Sequence, residues 1–425
     1  MRFRDLGADV NLQDKKPREE IKTDVSALKG IGFLLGQNPD NIIAEMDTVV
    51  LSPGIPTRLD FVKKARELNI PVISEVEFAS QVCKAPIIAI TGTNGKTTTT
   101  ALTGEIFSKK YKTEVLGNIG IPFSDKADSL TEVDRVVIEN SSFQLETIDT
   151  YKPVCAAVLN ITPDHLDRHG NLEGYIKAKE NIFKNMNSSD FLVLNYEDDA
   201  TKDMAKRAKA KIIWFSSKRE LPEGVWCDEK SIYANILGVK GKVIDIDEMN
   251  IVGTHNAENA MAAIALGICG GVDIEDIRKT LREFKVVEHR IEFVCNKNGV
   301  TYYNDSKGTN PDAAIKAVYA MKGPTLLIGG GYDKGSDYGE WVSTFKGRVK
   351  YLALIGVTKD AIKAECDKQG FKAYELFEIF EEAVKSCMDK AEKGDCVLLS
   401  PACASWGMFT DYEQRGRIFK DIVRS

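Results

Sequence analysis

The stretch "IIAITGTNGKTTTT" at residues 87–100 joins a β-branched apolar run to a glycine-containing turn and a helical pattern. A strand that leads through glycines into a helix N-terminus can hold phosphate, because backbone N–H groups and the helix dipole face the anion. The common phosphate loop, G-x-x-x-x-G-K-[ST], would require glycine where this chain has Ile90, and the nearest earlier glycine is Gly92. We therefore predict a nucleotide-binding loop that differs from the phosphate loops of motor proteins and small GTPases.

Further short apolar runs alternate with longer helical patterns along the chain. The runs are "TVVLS" (48–52), "RVVIEN" (135–140), "AAVLNI" (156–161), "FLVLN" (191–195), "TLLIGG" (325–330), "YLALIG" (351–356) and "CVLLSP" (396–401). Such runs are typical of buried parallel strands, and residues 311–321 and 379–393 are predicted helices. The alternation predicts an α/β fold with several mostly parallel sheets, whose binding residues gather at the carboxyl ends of the strands.

Two boundaries divide the chain into three predicted domains. The first lies near residues 81–86, before the strand that feeds the glycine turn, and the second near residues 284–289, after the charged helical pattern "IEDIRKTLREF". We predict a Rossmann-like domain at 1–82 that lacks its first strand, a central ATPase-type domain at 83–285 and a Rossmann-like domain at 286–425.

Composition indicates an ordinary soluble protein. The 425 residues are 43% hydrophobic and 28% charged, and the formal net charge of -6 gives no reason to expect nucleic acid as a partner. No apolar run approaches the ~20 residues of a membrane span, and the start lacks a signal peptide's apolar core. The nine cysteines contain no C-x-x-C pair, so we expect reduced thiols and a cytoplasmic protein.

Several polar side chains follow predicted strands and could hold a metal. Lys96 and Thr97 come directly after the glycine turn, where a lysine can reach phosphates and a hydroxyl can bind Mg²⁺. Glu139 ends one strand and His165 follows another, and carboxylate with one imidazole suits Mg²⁺ or Mn²⁺. Taken alone, each would more often be a surface or capping residue, but their shared position at strand ends after a phosphate loop favours a metal site. His169 and His255 have no role that the sequence predicts.

The last segment contains polar loops between strands and helices. They are "YYNDSKGTNPDA" (302–313), "LLIGGGYDKGSDY" (326–338) and "LLSPACASWGMFTDYEQRG" (398–416). Lysines beside hydroxyls and amides suit a substrate that carries carboxylates, although ordinary solvated loops can have the same composition.

In these motifs the sequence resembles the ATP-dependent Mur ligases of peptidoglycan synthesis, from about residue 5 to the C-terminus. Gly92–Thr98 matches the family's loop G-T-N-G-K-[ST]-[ST], which explains the unusual glycine spacing. The other matches, in chain order, are "GNIGIP", "SSFQLE", "HNAENAMAA", "EHR", "NDSKGTN", "GGGYDKG" and "LSPACASW". Of these, "SSFQLE", "NDSK-x-TN" and "SPACAS" are similar to the branch of the family that adds D-glutamate.

This resemblance implies a two-step reaction without a covalent enzyme intermediate. The γ-phosphoryl group of ATP passes to the carboxylate of UDP-N-acetylmuramoyl-L-alanine, and the amine of D-glutamate then attacks the acyl phosphate. Such chemistry depends on charge neutralisation and positioning. It also implies a cytoplasmic monomer, two Mg²⁺ ions and, at Lys179, the position of the family's carbamylated lysine.

The resemblance further implies roles for individual residues. Lys96, Glu139, His165 and Lys179 would be catalytic, and Thr97, Glu139, His165 and carbamylated Lys179 would bind the metals. ATP would contact Gly92, Thr93, Asn94, Gly95, Lys96, Thr97, Thr98, Asn259, Arg290 and Asp305. The UDP-linked substrate and D-glutamate would contact Asp14, Ser52, Pro53, Gly54, Asn118, Lys307, Thr309, Lys334, Ser405, Trp406 and Tyr412. Trp406 stands where relatives often carry leucine.

The N-terminus departs from the family pattern, because a strand and glycine loop expected ahead of Asp14 are absent. Met1 is therefore expected to be an internal start in a truncated gene product or the start of a shortened protein. Without that strand, the small sheet is expected to expose an edge. Two other functions stay open: an ATP-binding protein without ligase activity, and an enzyme that adds glutamates to folates.

Overall fold

In a computed structural model of the protein, the residues described are 4, 7–21, 28–118, 120–249, 254–284, 288–332 and 335–425, without the side chains at 167, 254 and 255. They form α/β units around two large sheets. The strands are β1 (Asn11–Asp14), β2 (Gly32–Leu35), β3 (Val49–Leu51), β4 (Val72–Ser74), β5 (Ile87–Thr91), β6 (Thr113–Gly117), β7 (Arg135–Glu139), β8 (Cys155–Val158), β9 (Phe191–Asn195), β10 (Lys211–Ser216), β11 (Gly224–Cys227), β12 (Ser231–Ile236), β13 (Val239–Asp245), β14 (Glu292–Lys297), β15 (Val300–Asn304), β16 (Thr325–Gly330), β17 (Val349–Ile355), β18 (Tyr374–Leu376) and β19 (Cys396–Leu399).

The helices lie mostly between these strands. They are α1 (Asp60–Glu67), α2 (Glu75–Val82), α3 (Lys96–Ser108), α4 (Ser142–Leu145), α5 (Leu166–His169), α6 (Leu172–Glu180), α7 (Asp199–Ala205), α8 (Thr254–Cys269), α9 (Ile274–Glu283), α10 (Pro311–Ala320), α11 (Gly339–Ser343), α12 (Lys359–Lys368), α13 (Phe380–Lys390) and α14 (Tyr412–Arg424).

The central sheet has nine strands in the order β13-β12-β11-β10-β9-β8-β5-β7-β6. Strand β5 is the seventh strand in this order and runs parallel to both neighbours, β7 and β8. Ile88 and Ile90 pack into one buried cluster, whereas Ile87 and Ala89 pack into the other, because alternate residues of a strand face opposite sides. Both faces of β5 are thus covered by apolar side chains, and at its carboxyl end the strand leads into the polar glycine turn.

The C-terminal sheet has six strands in the order β14-β15-β19-β16-β17-β18. Strand β14 pairs antiparallel with β15, and the remaining pairs are parallel. The loops that follow β15, β16 and β19 therefore leave the same edge of the sheet. These are the three polar loops predicted from the sequence to hold a carboxylate-bearing substrate.

The first segment forms two separate pairs of parallel strands, β1 with β2 and β3 with β4. Helix α2, which follows β4, contributes Val76 and Ala79 to the same buried cluster as Ile87 of the central sheet. The chain therefore joins the central core just before the boundary predicted at residue 82.

The predicted α/β architecture is confirmed, since every apolar run quoted above forms a strand. The helices predicted at 311–321 and 379–393 are α10 and α13, each slightly shorter than predicted. The antiparallel hairpins β11–β12–β13 and β14–β15 were not predicted. All nine cysteines are free thiols. Within the described ranges, none of the helices combines the length and apolar character needed to cross a membrane.

Glu77 of α2 anchors the first segment to the central domain. Its buried carboxylate accepts hydrogen bonds from the backbone N–H groups of Asp149, Thr150 and Tyr151 at 2.8–2.9 Å. Burial tends to raise the pKa of Glu77, but the hydrogen bonds from Thr150 and Asp149 outweigh it and lower the pKa below its ordinary value of 4.5.

Replacing Glu77 with glutamine should therefore destabilise the protein by about 2 kcal/mol at pH 7, because backbone donors lose an anionic acceptor. A carboxyl group with a lowered folded-state pKa stabilises the fold above its unfolded-state pKa and loses this contribution as the pH falls through the folded-state value. Denaturant unfolding of both proteins should show a difference that shrinks below about pH 4.5. A difference that stays constant down to pH 3 would contradict this explanation.

Candidate active site

The glycine turn after β5 has a backbone that requires glycine at two positions. Gly92 and Gly95 have φ angles of 150° and 87°. A Cβ on Gly95 would lie 2.1 Å from the Asn259 Oδ1 atom, and a Cβ on Gly92 would lie 3.0 Å from the Leu159 side chain. The turn therefore packs directly against Asn259 and leads into α3 at Lys96. This is the arrangement predicted for a phosphate cradle.

Cations from two parts of the chain converge on the start of α3. The Lys96 ammonium donates to the carbonyl oxygens of Gly92 at 2.9 Å and Thr93 at 2.8 Å. The Thr97 hydroxyl accepts from the Lys307 ammonium at 2.9 Å and from the Arg290 guanidinium at 3.2 Å. The C-terminal segment thus brings two basic side chains to the start of α3.

Glu139 lies at the carboxyl end of β7 and is 2% exposed. One carboxylate oxygen accepts from the Asn118 side chain at 2.9 Å, and the other, Oε2, is buried and has no hydrogen-bond partner within the described part of the chain. Burial tends to raise the pKa of Glu139, but the charges of Lys96 and Lys307 outweigh it and hold the pKa below its ordinary value. A buried, ionised carboxylate with a free oxygen beside a phosphate loop is a site prepared for a cation.

Lys179 of α6 is 1% exposed, which is unusual for lysine. Its ammonium donates to the Gly92 carbonyl at 2.7 Å and to the Thr91 hydroxyl at 3.4 Å, and it lies 4.7 Å from the centre of the Tyr175 ring. Burial lowers the pKa of Lys179 well below its ordinary value, and the nearby charge of Lys96 lowers it further. The amine is therefore more easily neutral, and hence more nucleophilic, than a surface lysine.

His165 lies just before α5 and has left-handed backbone geometry, with φ 53°. Its imidazole packs edge-on against the Phe143 ring at 4.9 Å between ring centres, and its Nε2 atom is 3.6 Å from the Asp164 carboxylate. The structure therefore places His165 beside the "SSFQLE" motif.

A cavity opens between the phosphate loop and the C-terminal segment. It is lined by Asn94, Gly95, Thr98, Asn160, Asn256, Glu258, Asn259, Arg290, Ile291, Asp305, Ala313 and Lys316. The predicted nucleotide contacts at Asn94, Gly95, Thr98, Asn259, Arg290 and Asp305 are thus brought together. Thr93 lies deeper, where its hydroxyl donates to the Thr162 carbonyl at 3.1 Å.

Asp305 forms the floor of this cavity at the end of β15. Its carboxylate accepts from the Ser400 hydroxyl at 2.7 Å and from the Ile291 backbone N–H at 3.3 Å. Burial raises the pKa of Asp305 to about 7, and the Ser400 hydrogen bond only partly opposes this. The carboxyl group can therefore accept or donate a hydrogen bond near neutral pH.

Two of the other predicted substrate contacts, Thr309 and Tyr412, lie beside Lys307. Burial, together with the nearby Arg290 charge, lowers the pKa of Lys307 to about 7. Its ammonium lies 5.1 Å from the centre of the Tyr412 ring, and its carbonyl accepts from the Thr309 backbone N–H at 2.9 Å. Lys334, also predicted at this site, lies outside the described residues.

Ser405 and Trp406 follow β19 with opposite exposures. Ser405 is 4% exposed, whereas Trp406 is 56% exposed and packs edge-on against the Tyr332 ring at 5.5 Å. The tryptophan that departs from the family pattern thus lies largely on the surface, beside Tyr332.

The remaining predicted contacts lie in the first segment and beside β6. The Asp14 carboxylate accepts from the Lys16 backbone N–H at 2.8 Å at the end of β1. Ser52, Pro53 and Gly54 form a turn after β3, closed by a hydrogen bond from the backbone N–H of residue 55 to the Ser52 carbonyl at 2.9 Å. Asn118 follows β6 and contacts Glu139, as described above.

Sequence reasoning missed residues that join the phosphate loop to α10. Asp312 accepts hydrogen bonds from the Asn94 side chain, from the Thr162 hydroxyl at 3.3 Å and from the Lys316 ammonium at 3.2 Å. Asn160 accepts from the Asn94 backbone N–H at 2.9 Å. The position of Asp312 directly after "TNP" in a quoted motif was the available signal, but its partner lies 218 residues away in the chain.

Comparison with known proteins gives consistent matches. Residues 90–267 match the Mur ligase middle domain and residues 289–403 match the Mur ligase glutamate ligase domain. The chain is 48% identical over 426 residues to a UDP-N-acetylmuramoylalanine--D-glutamate ligase of Lachnoclostridium phytofermentans, a match that covers 99% of this chain and 93% of that protein. A ligase of the same name from Clostridioides difficile is 45% identical, over 99% of this chain and 94% of its own length.

Solved structures are similar in fold. MurF from Acinetobacter baumannii has a TM-score of 0.66 at 17% identity and covers 96% of this chain and 84% of its own. The UDP-N-acetylmuramate-alanine ligase MurC from Thermotoga maritima has a TM-score of 0.64 at 21% identity and covers 100% of this chain and 95% of its own.

Proposed function

The chain belongs to the Mur ligase family, and on this premise we propose that it joins D-glutamate to UDP-N-acetylmuramoyl-L-alanine with hydrolysis of ATP to ADP and phosphate. The product is a precursor of peptidoglycan. The high identity to ligases that carry this name, over nearly the whole chain, supports this substrate pair over folates.

The observation that carries the proposal is the convergence of two lysines and an arginine on the start of α3. Lys96 comes from the phosphate loop, whereas Lys307 and Arg290 come from the C-terminal segment. Phosphoryl transfer to a carboxylate gathers negative charge between nucleotide and acceptor, so cations from both sides would stabilise the transition state. Arg290 can turn from the Thr97 hydroxyl to the phosphates when ATP binds, which leaves Lys307 for the substrate carboxylate.

Magnesium fits the residues at this position. The described residues hold no cluster of three acidic, histidine or cysteine side chains that could bind a metal unaided. Mg²⁺ needs fewer protein ligands than such a cluster, because it keeps water and shares phosphate oxygens with a nucleotide. The unpaired Glu139 oxygen and the Thr97 hydroxyl would bind the first ion, which when present neutralises phosphate charge.

A second ion would be bound by His165 and by Lys179 in a carbamylated form. An ammonium beside Mg²⁺ is repelled, whereas a carbamate supplies anionic oxygens. Carbamylation requires a neutral amine, and the lowered pKa of buried Lys179 provides one.

The substrates would occupy opposite sides of this centre. Asp14 and the turn at Ser52–Gly54 would contact the UDP group, with Asn118 nearer the reacting carboxylate. Lys307, Thr309, Lys334, Ser405, Trp406 and Tyr412 would surround D-glutamate. Lys307, with a pKa of about 7, could bind a substrate carboxylate as a cation, and the bound carboxylate would favour its charged form.

The domain limits that best suit this assignment are 1–82 for the UDP-linked substrate, 83–285 for ATP and 286–425 for the amino acid. We further propose a monomer that acts in the cytoplasm, where ATP and nucleotide-linked precursors occur.

Phosphate release from ATP and Mg²⁺ tests this function. We expect release only when UDP-N-acetylmuramoyl-L-alanine and D-glutamate are both present, and we expect L-glutamate not to replace the D-isomer. The control omits each substrate in turn and follows the new amide product by mass spectrometry. ATP binding without substrate-dependent release would instead favour the ATP-binding protein without ligase activity.

A further inference from the structure

An ion cluster beside the candidate active site has no role in the proposed chemistry. We name it the Arg168 cluster; it consists of Ser142, Phe143, Glu146, Arg168 and His169. The Arg168 guanidinium donates to both Glu146 oxygens, at 2.7 and 3.3 Å. The His169 imidazole lies 3.1 Å from Glu146 and 3.0 Å from the Ser142 hydroxyl. The cluster therefore joins the "SSFQLE" motif to helix α5.

These charges are largely removed from water. The side chains of His169, Arg168 and Glu146 are 3%, 8% and 12% exposed. Burial tends to raise the pKa of Glu146, but hydrogen bonds from His169 and Arg168 outweigh it and lower the pKa. A buried ion pair is weak support for stability, since well-packed apolar residues often serve as well. The cluster is therefore better explained by the segments it connects than by a contribution to stability.

Arg168 also reaches across to the first segment. Its guanidinium donates to the Ile55 carbonyl at 2.8 Å, and its own carbonyl accepts from the Arg58 guanidinium at 3.4 Å. Ile55 directly follows the Ser52–Gly54 turn, which is assigned above to the UDP-linked substrate. A single side chain thus connects that turn to the central domain.

The cluster supports His165 as well. The Phe143 ring lies between the His165 and His169 rings, at 4.9 and 5.6 Å from their centres, and the Arg168 guanidinium lies 4.8 Å from the same ring. Arg168 therefore fixes the surface against which His165 packs.

We propose that Arg168 is a positioning residue. It holds the substrate turn at residues 52–55 in a fixed position relative to the glycine turn and to His165. The planar guanidinium is suited to this task because it donates to Glu146 and to the Ile55 carbonyl at the same time, which an ammonium cannot do with the same geometry. This inference rests on the proposed function, because it assigns the turn to the UDP-linked substrate. It explains why one helix turn carries His165, Arg168 and His169 together.

The test is equilibrium binding of UDP-N-acetylmuramoyl-L-alanine and, separately, of ATP to the full chain by titration calorimetry. Arg168→Met should weaken binding of the UDP-linked substrate about tenfold or more, with ATP affinity within about twofold of the unchanged protein. Arg168→Lys keeps the charge and should still weaken the UDP-linked substrate, because it cannot satisfy both acceptors. If Arg168→Met does not fold, the substrate affinity of Arg168→Lys tests the proposal in its place.

Arg207→Met is the matched control. Arg207 makes a comparable two-oxygen pair with Glu180, but its side chain is 46% exposed and lies outside the site. Equal substrate affinities in the Arg168 and Arg207 variants would overturn the proposal. A parallel loss of both ligands and of thermal stability would overturn it too, since that is the result of a purely structural role. Failure of the unchanged protein to bind the UDP-linked substrate would instead overturn the proposed function itself, and this inference with it.

Discussion

Replacing Glu139 with glutamine should lower the rate of substrate-dependent phosphate release by about a thousandfold or more. The substitution keeps the shape of the side chain and an oxygen for the Asn118 hydrogen bond, but it removes the anionic charge. That charge is maintained in a buried position by Lys96 and Lys307, and its Oε2 atom has no hydrogen-bond partner among the residues that the structure describes. Glu139 therefore has a carboxylate oxygen available to bind Mg²⁺.

The measurement compares rates over a range of Mg²⁺ concentrations. The unchanged protein should show a rise in thermal stability with Mg²⁺ and a non-hydrolysable ATP analogue, and Glu139→Gln should lose most of this rise. The control is Glu132→Gln, at an exposed position shortly before the same strand. A variant at Glu139 that keeps a tenth or more of the rate would contradict a role as metal ligand.

The central β–loop–α unit was predictable because its signals are local. Residues 87–100 contain the apolar strand, the two glycines and the helix start, and the structure realises them as β5, the turn and α3. The strands that deliver the other site residues were predictable for the same reason. Strand β7 pairs in parallel with β5, so Glu139 at its carboxyl end lies beside the glycine turn, as the sequence predicted.

The contacts across the site were not predictable from local patterns. Lys307 and Arg290 contact Thr97 across about 200 residues of sequence, and no local periodicity encodes such a contact. The hydrogen bond from Arg168 to the Ile55 carbonyl joins residues 113 positions apart. His169 had no predicted role because its partners, Ser142 and Glu146, belong to a motif that sequence reasoning treated only as a family mark.

The positive charges of the site are expected to lower the stability of the protein without ligand. Lys96, Lys179, Lys307 and Arg290 lie near one another, with Glu139 as the buried anion among them. Like charges in a buried place oppose folding unless a ligand neutralises them. ATP supplies that negative charge, so nucleotide binding should stabilise this protein strongly.

Replacing Lys179 with methionine should abolish most ligase activity, by about a thousandfold or more, while leaving the protein at least as stable. Lysine with a folded-state pKa below its ordinary value of 10.5 binds fewer protons in the folded state than in the unfolded state. Its contribution therefore opposes folding at neutral pH and becomes less unfavourable as the pH rises. Methionine has a similar volume and removes this burden, although the Gly92 carbonyl loses a donor.

Activity and thermal unfolding should be measured on Lys179→Met beside Lys177→Met, an exposed lysine on the same helix. The unchanged protein should also lose rate in buffer stripped of carbon dioxide and regain it with bicarbonate, whereas the Lys179 variant should not respond. Retention of activity in Lys179→Met would show that the lysine only fills space. Loss of activity without any response of the unchanged protein to bicarbonate would mean that Lys179 acts as a plain amine, and the second ion would then need a different ligand.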